Sequence, residues 1–353
     1  MVGVIFWQGI RVSNTSSELR KRVLSGMRPT GKLHLGNYMG ALYNWVRLQH
    51  EYECYFFVAD WHALTTDYAD PSKIKDNIQD VVLDFLAAGL DPEKSTLFIQ
   101  SRVPAHAELH LAFSMITPLG WLERVPTYKD QQEQLKEKDL ATYGFLGYPL
   151  LQSADILLYQ PDFVPVGQDQ VAHVELTREV ARRFNQFYPS KTNPEVPILP
   201  EPKVLLTPSP KLPGLDGRKM SKSYGNTLGL SDPEPEIRKK IKGMVTDPAR
   251  IRRTDVGNPE VCPVFDLHKV FSSAETQEKA REGCTTASIG CIECKGWLAD
   301  AVVAELRPIQ ERRAYYEANP ALVEEIITTG NEKAAARAAI TMREVKTAMG
   351  LGE

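Results

Sequence analysis

Four short apolar runs constrain the fold more than any other feature of the chain. They fall at residues 22–27, 54–59, 96–99 and 163–166, with helix-length segments between them. The run at 54–59, Cys-Tyr-Phe-Phe-Val-Ala, is apolar at every position. A strand with that pattern is buried on both faces, which requires a parallel sheet covered by helices above and below. Between the runs, Ile74, Ile78, Val81, Val82, Phe85 and Leu86 follow the 3.6-residue period of an amphipathic helix. Further helices are expected at 37–50, with Met39, Leu42 and Val46 on one face, and at 105–117, 149–159 and 169–187. Strands alternating with helices build βαβ units, so the expected fold class is α/β, a Rossmann-like doubly wound parallel sheet.

The texture changes at about residue 189. Residues 189–235 are rich in Pro, Gly, Ser and Lys and read as long loops. Helices are expected beyond them at 234–245, 264–282, 297–317, 321–329 and 331–349. Pro308 lacks an amide donor and is expected to break or kink the third of these. Gly330-Asn331 is expected to separate the last two, with Gly as a stop and Asn as the next N-cap. The expected division is an N-terminal extension at 1–20, a Rossmann-type domain at 21–205, a mobile loop region at 206–233 and a C-terminal helical domain at 234–353.

Net charge bears on partners. At −3 overall, the 353-residue chain would have to meet any nucleic acid through local patches. Arg178, Arg182 and Arg183, the lysines 239, 240 and 242, and Arg250, Arg252 and Arg253 are the candidates. No apolar run approaches the roughly 20 residues of a membrane span, so no membrane partner is expected. The apolar start at residues 2–7 is too short for a signal sequence and lacks a basic region before it. Five cysteines, an odd number, fit a cytoplasmic location in which thiols stay reduced.

Two motifs carry chemistry. Pro29-Thr30-Gly31-Lys32-Leu33-His34-Leu35-Gly36-Asn37 follows the first strand and opens the first helix. That is the carboxyl edge of a parallel sheet, where ligands bind, and the helix start offers free amides to phosphate. Lys219-Met220-Ser221-Lys222-Ser223 lies in a Gly-rich loop at 214–225. Its two cations and its hydroxyls can close around a triphosphate as negative charge builds. Each motif alone also reads as an ordinary turn or a solvated basic loop; their pairing is much rarer.

The pair resembles the class I aminoacyl-tRNA synthetases, whose signatures are a His-Ile-Gly-His tetrad and a Lys-Met-Ser-Lys-Ser loop. Here the tetrad is His34-Leu35-Gly36-Asn37, and the loop matches without change. Further segments are similar to the tryptophan branch of that family. They are Val58-Ala59-Asp60-Trp61-His62-Ala63-Leu64-Thr65, Gly120-Trp121-Leu122-Glu123-Arg124, Ser153-Ala154-Asp155-Ile156-Leu157-Leu158-Tyr159, Val164-Pro165-Val166-Gly167-Gln168-Asp169-Gln170 and Leu306-Arg307-Pro308-Ile309-Gln310-Glu311-Arg312. The resemblance spans residues 22 to 350 or thereabouts.

The resemblance implies a tryptophan–tRNA ligase that joins tryptophan to ATP with Mg2+, releases pyrophosphate, and passes the amino acid to the terminal adenosine of tRNA(Trp). It implies a homodimer. His34, Asn37, Lys219 and Lys222 would be catalytic. Asp155 would bind the ammonium or the indole N–H of tryptophan, because a buried carboxylate needs such a partner. Leu24, His62, Tyr148, Gln152, Val164, Val166 and Gln170 would complete that pocket. ATP would meet Arg28, Pro29, Thr30, Gly36, Asn37, Gly167, Gln168, Asp169, Leu212 and the loop Lys219, Met220, Ser221, Lys222, Ser223. The chain departs from the common bacterial pattern at Gln152, Arg28 and Leu24, where Met, Gln and Phe are frequent. The polar Gln152 keeps the tyrosine enzyme as runner-up.

Cys262, Cys284, Cys291 and Cys294 crowd one late region, with a C-x2-C pair at its end. Four thiolates suit structural zinc or a [4Fe–4S] cluster. Zinc sites usually show two such pairs, so the uneven spacing favours the cluster, and a subset of the tryptophan enzymes resembles this chain in holding one. A redox protein built on those cysteines is the reading from another class. It leaves the lysine loop without a purpose. An RNA-binding relative without catalysis leaves both the loop and Asp155 unexplained, and a small-molecule nucleotidylyltransferase of the same fold ranks behind the tyrosine enzyme.

Overall fold

The computed structural model describes residues 20–126, 128–129, 139–206 and 212–352, and the backbone alone of Asp169. The extension expected at 1–20 thus lies, but for Arg20, outside the described residues. Five strands form one parallel sheet: β1 (Arg22–Met27), β2 (Glu53–Val58), β3 (Ser95–Ile99), β4 (Phe163–Val166) and β5 (Lys203–Leu206). Their order is β3-β2-β1-β4-β5, with Arg22 opposite Glu53, Cys54 opposite Ser95 and Phe163 opposite Lys203.

Alternate residues of β1 and β2 are buried on opposite faces, as the apolar runs require. Val23, Phe56 and Val58 pack with Trp45, Val81 and Phe85 on one side. Leu24, Tyr55 and Phe57 pack with Phe113, Leu157 and Val180 on the other. The first face is covered by α1, which runs as Leu35–Asn37, a π-helical turn Tyr38–Leu42, and Tyr43–Leu48, and by α3 (Ile74–Ala88). Between them comes α2 (Asp60–Asp67), at the end of β2. The second face is covered by α4 (Ala105–Ser114), α7 (Tyr148–Tyr159) and α8 (Val171–Phe187), with α5 (Leu119–Glu123) and α6 (Tyr143–Leu146) as short connectors. The C-terminal part is helical: α9 (Glu234–Gly243), α10 (Pro263–Phe271), α11 (Ala274–Thr285), α12 (Cys291–Ala318) and α13 (Pro320–Met349).

Four expectations are corrected. The stretch read as loops at 189–235 contains β5, an edge strand whose side chains are half-buried or exposed, so no continuous apolar run marks it. The helix expected at 264–282 is two helices. Its break falls at Ser272-Ser273, where Ser273 caps α11 by accepting the Thr276 N–H at 3.2 Å. Pro308 does not break α12, which runs on through it between the buried Leu306 and Ile309. Gly330-Asn331 does not end a helix either, since α13 runs through it.

That last pair serves the sheet instead. A Cβ on Gly330 would lie 1.7 Å from the Leu97 carbonyl oxygen, so only glycine lets α13 lie this close to β3. Beside it, the Asn331 side-chain oxygen accepts the Ile99 N–H at 3.0 Å and pairs a donor of the edge strand. Gly330→Ala is therefore expected to lower stability by about 1–3 kcal/mol, the usual cost of overpacking. Urea unfolding checks this, and an unchanged midpoint would contradict it.

Candidate active site

The sheet order reverses beside β1, whose neighbours β2 and β4 lead outward in opposite directions. Such a switch point opens a crevice at the carboxyl ends of the strands. A cavity of about 370 Å³ lies there. Leu24 and Arg28 line it from β1 and the turn after it, and Val164, Val166, Gly167 and Gln170 from β4 and its continuation. His62 enters from α2, and Tyr148, Gln152 and Asp155 from α7. The eight residues expected to contact the amino acid thus line one cavity. Ser25, Gly26, Trp45, Phe57, Thr65 and His173 also line it and were not anticipated.

Asp155 corrects one argument. It is 1% exposed, yet it does not wait for an external partner. The Gln100 side-chain amide donates to both its oxygens at 2.7 and 2.9 Å. His106 Nδ1 lies 2.7 Å from Oδ1, and His62 Nε2 lies 2.8 Å from Oδ2. Four contacts use all the acceptor sites a carboxylate has. Burial alone would raise this carboxyl, but the hydrogen bonds from His106 and His62 outweigh it and hold Asp155 below the usual carboxylate range. On its far side, His106 Nε2 is 2.9 Å from the Tyr159 hydroxyl. Burial keeps that phenol protonated, and because an ionised carboxylate only accepts, His106 Nδ1–H points at Asp155. Gln100 and His106 were missed by sequence reasoning. The available signal was positional: Gln100 directly follows β3, at the carboxyl edge of the sheet.

The two motifs meet. Leu35 N–H donates to the Leu228 carbonyl and Leu230 N–H to the Leu33 carbonyl, both at 2.9 Å, so the segment after the lysine loop pairs with the start of α1. Lys222 Nζ then donates to the carbonyls of Thr30 at 2.9 Å and Gly31 at 2.8 Å. Met220 is buried, and its N–H donates to the Leu212 carbonyl at 3.1 Å, while Lys219 and Ser223 are exposed. The buried Asn226 shapes the loop by donating to Asp216 and to the Lys219 carbonyl, and by accepting the Ser221 N–H at 2.8 Å. It too was missed.

At the other motif, Asn37 Oδ1 accepts the His34 N–H at 3.2 Å and caps the helix start. A Cβ on Gly36 would sit 2.9 Å from the His34 ring, so any side chain there would displace that ring. Burial and the charge of Lys222 push the His34 imidazole down to about 4, which leaves it neutral at pH 7. Burial lowers Lys222 to about 8, against the pull of Asp84 and Asp80. Arg28 donates to the Thr66 hydroxyl at 2.5 Å. Among the described residues, Arg28 Nε and His34 Nδ1 are buried with no hydrogen-bond partner. Pro29 is buried and Thr30 exposed in the turn after β1, and Gln168 and Asp169 lie in the 3-10 turn Gln168–Gln170 after β4.

The four late cysteines come from three helix ends. Cys262 caps α10, Cys284 lies near the end of α11, and Cys291 and Cys294 form the first turn of α12. Burial pushes the Cys294 thiol up to about 12, with the other three thiols adding to the rise. Arg250 is buried beside them, with Nη1 3.6 Å from the Cys284 sulfur and Nε lacking a partner among the described residues. His268 Nε2 lies 3.4 Å from the Cys294 sulfur. As they stand, no three His, Cys, Asp or Glu side chains among the described residues converge tightly enough to hold a metal ion.

Residues 16–307 match the family described as tRNA synthetases class I (W and Y). The chain is 55% identical over 332 residues to the tryptophan–tRNA ligase of Thermotoga maritima, covering 94% of this chain and 99% of that one. It is 51% identical over 394 residues to the tryptophan–tRNA ligase of Ralstonia nicotianae, covering 94% and 98%. The tryptophanyl-tRNA synthetase of Campylobacter jejuni, solved with ADP and tryptophan, superposes with a TM-score of 0.83 at 34% identity, covering 94% of this chain and all of that one. Identity at this level to tryptophan enzymes sets the tyrosine and redox alternatives aside. The chain belongs to the class I tRNA synthetases for tryptophan and tyrosine, and within them to the tryptophan–tRNA ligases.

Proposed function

We propose that tryptophan occupies the cavity over β1 and β4 and that Mg-bound ATP lies against His34, Asn37 and the Lys219, Met220, Ser221, Lys222, Ser223 loop. The observation carrying this reading is the joining of the two motifs through Lys222, beside a cavity that ends on a charged, buried carboxylate. Asp155 accepts the indole N–H or the ammonium, and the bifurcated bond from Gln100 is the contact that yields to it. His62, Tyr148, Gln152 and Gln170 add polar contacts, and Leu24, Val164 and Val166 supply apolar walls. The partnerless Arg28 Nε and His34 Nδ1 are donors or acceptors for the nucleotide. Pro29, Thr30, Gly36, Gly167, Gln168, Asp169 and Leu212 shape its site.

The tryptophan carboxylate attacks the α-phosphate, the bond to the β-phosphate breaks, and pyrophosphate leaves with its electron pair. Lys219 and Lys222 stabilise that growing charge. A neutral His34 donates a hydrogen bond without moving a proton, and Asn37 holds the helix start. The 2′-hydroxyl of the tRNA then takes the acyl group and AMP leaves. A complex with tryptophan and a non-hydrolysable ATP analogue tests the assignment. Indole nitrogen beside Asp155 and phosphates beside residues 219–223 are expected; phosphates docked elsewhere overturn it.

Residues 21–205 serve as the catalytic domain, 206–233 as the region of the Lys-Met-Ser-Lys-Ser loop, of which 207–211 lie outside the described residues, and 234–353 as the part that meets the tRNA anticodon, with a homodimer as the working form. Leu111 on α4, Met115 just after it and Leu119 on α5 are 58%, 68% and 61% exposed and fit a partner surface. Five free thiols fit the cytoplasm.

The late cysteines suit a resident [4Fe–4S] cluster better than zinc. The fit rests on the donor set: four thiols beside a buried Arg250 with an unsatisfied Nε, and beside Lys295, whose ammonium burial pushes down while the cysteines pull it up. Thiolates on a cluster would satisfy both cations. Cys262, Cys284, Cys291 and Cys294 would hold it after side-chain rotation, and it would brace three helix ends. Anaerobically purified protein is expected to carry iron and sulfide and to absorb in the visible; zinc without iron would sink the cluster.

A further inference from the structure

Asp84 is fully buried in a stretch of α3 that is otherwise apolar: Val81, Val82, Leu83, Phe85 and Leu86 surround it in sequence. Arg313, 4% exposed, reaches it from α12 across 229 residues. Every nitrogen of the guanidinium is engaged. Nη1 meets Asp84 Oδ1 and the Asp80 carbonyl, Nη2 meets Asp80 Oδ1 at 2.6 Å, and Nε meets Glu317 at 2.8 Å. Swapping such a pair for apolar residues is often neutral or stabilising, so stability alone does not account for it.

Its other bond is more specific. Asp84 Oδ2 accepts the Leu33 N–H at 2.7 Å, and Leu33 immediately precedes His34. One turn before Arg313, Gln310 donates to the Leu230 carbonyl at 3.0 Å and the Asp232 carbonyl at 2.8 Å, just beyond the lysine loop. Leu33 and Leu230 are themselves hydrogen-bonded. One face of α12 therefore holds both arms of the ATP site.

We propose that Arg313, acting through Asp84, and Gln310, acting on the Leu230 and Asp232 carbonyls, are positioning residues that set the His34 segment and the Lys222 loop in register for the adenylation step. None of the three touches substrate. Asp84 also acts by charge. The charged or titratable groups facing Lys222 are Asp84 and Asp80 on α3, His34 at the head of α1, and Arg313 behind the aspartates. Asp84 and Asp80 raise the Lys222 ammonium, while burial lowers it to about 8. Removing either negative charge makes Lys222 lose its proton at lower pH. The alkaline fall of kcat/KM for ATP, which reports the free enzyme, then moves down in pH.

The inference rests on the reading that Lys222 meets the phosphates of ATP. The experiment is tryptophan-dependent ATP–pyrophosphate exchange from pH 6 to 10 or thereabouts on the full chain, with D84N, D80N, Q310L and R313K. D84N and D80N are expected to move the alkaline limb down by roughly half a unit to one unit, the size of losing a nearby opposite charge. R313K keeps the charge and loses the fork, and Q310L loses its two bonds. Both are expected to keep the limb and lose about 10- to 100-fold in kcat through misplacement, with KM for tryptophan unchanged. Should D84N fail to fold, the partly exposed Asp80 still gives the pH reading through D80N. An unmoved limb in the aspartate variants, or wild-type kcat in R313K and Q310L, overturns the inference. The underlying reading fails separately, if K222M retains full exchange.

Discussion

Lys222→Met is expected to lower kcat for tryptophan-dependent pyrophosphate exchange by about 10²–10³-fold, the loss typical of one preorganised donor to developing charge. The ammonium already sits at the turn after β1, held by the Thr30 and Gly31 carbonyls, so under the proposed function it would reach the phosphates with little reorganisation. Those carbonyls are weak partners for a half-buried cation, and a triphosphate is a better one. Lys222 does not line the cavity proposed for tryptophan, so KM for tryptophan should stay within about twofold, the pattern of a contact made mainly in the transition state. Steady-state exchange at saturating tryptophan checks both numbers. A large rise in KM for tryptophan with kcat intact would contradict the role.

Asp155→Asn is expected to cost both stability and selectivity. Asparagine turns an NH2 toward one of the donors Gln100, His106 and His62 and removes the charge they surround. Breaking such a buried charged network costs about 3–5 kcal/mol, seen as a lower unfolding midpoint. Binding should suffer separately. A hydrogen bond to a charged group is worth about 1.5–3 kcal/mol, or roughly 10- to 150-fold in kcat/KM for tryptophan. An analogue with sulfur in place of the indole N–H separates the two effects. It should be poorer than tryptophan on the parent chain and no poorer on the variant, as coupled partners require. Equal discrimination by both proteins would place the indole contact elsewhere.

The parts of the fold legible in the sequence were those that bury apolar residues in a row. β2 is buried at all but its first position, and β1, β3 and β4 each bury two adjacent apolar residues or a proline beside one, so composition marks them. β5 lies at the sheet edge with exposed Lys203 and Leu206, and its strand character comes from pairing with β4 rather than from its own residues. Pro308 and Gly330-Asn331 misled because local punctuation yields to packing. The first lies between buried neighbours, and the second serves the approach to Leu97. Ser272-Ser273 carried a readable cap signal at the head of α11.

The site divides in the same way. The two motifs stand out because each is contiguous, and the cavity residues came with the segments around Asp155 and Gly167. What surrounds Asp155 did not. Gln100 and His106 reach it across 55 and 49 residues, and nothing near either in sequence announces the contact. Asp84 is alike in this, ordering the Leu33 segment across 51 residues, whereas Asn226 ties together its own loop from 5 to 10 residues away.

The central claim is that this site joins tryptophan to ATP, and exchange of labelled pyrophosphate into ATP tests it most directly. Reactions with tryptophan, with tyrosine and with no amino acid are run side by side on the full chain. Exchange that depends on tryptophan alone is the expected result. Exchange driven by tyrosine, or independent of any amino acid, would contradict it.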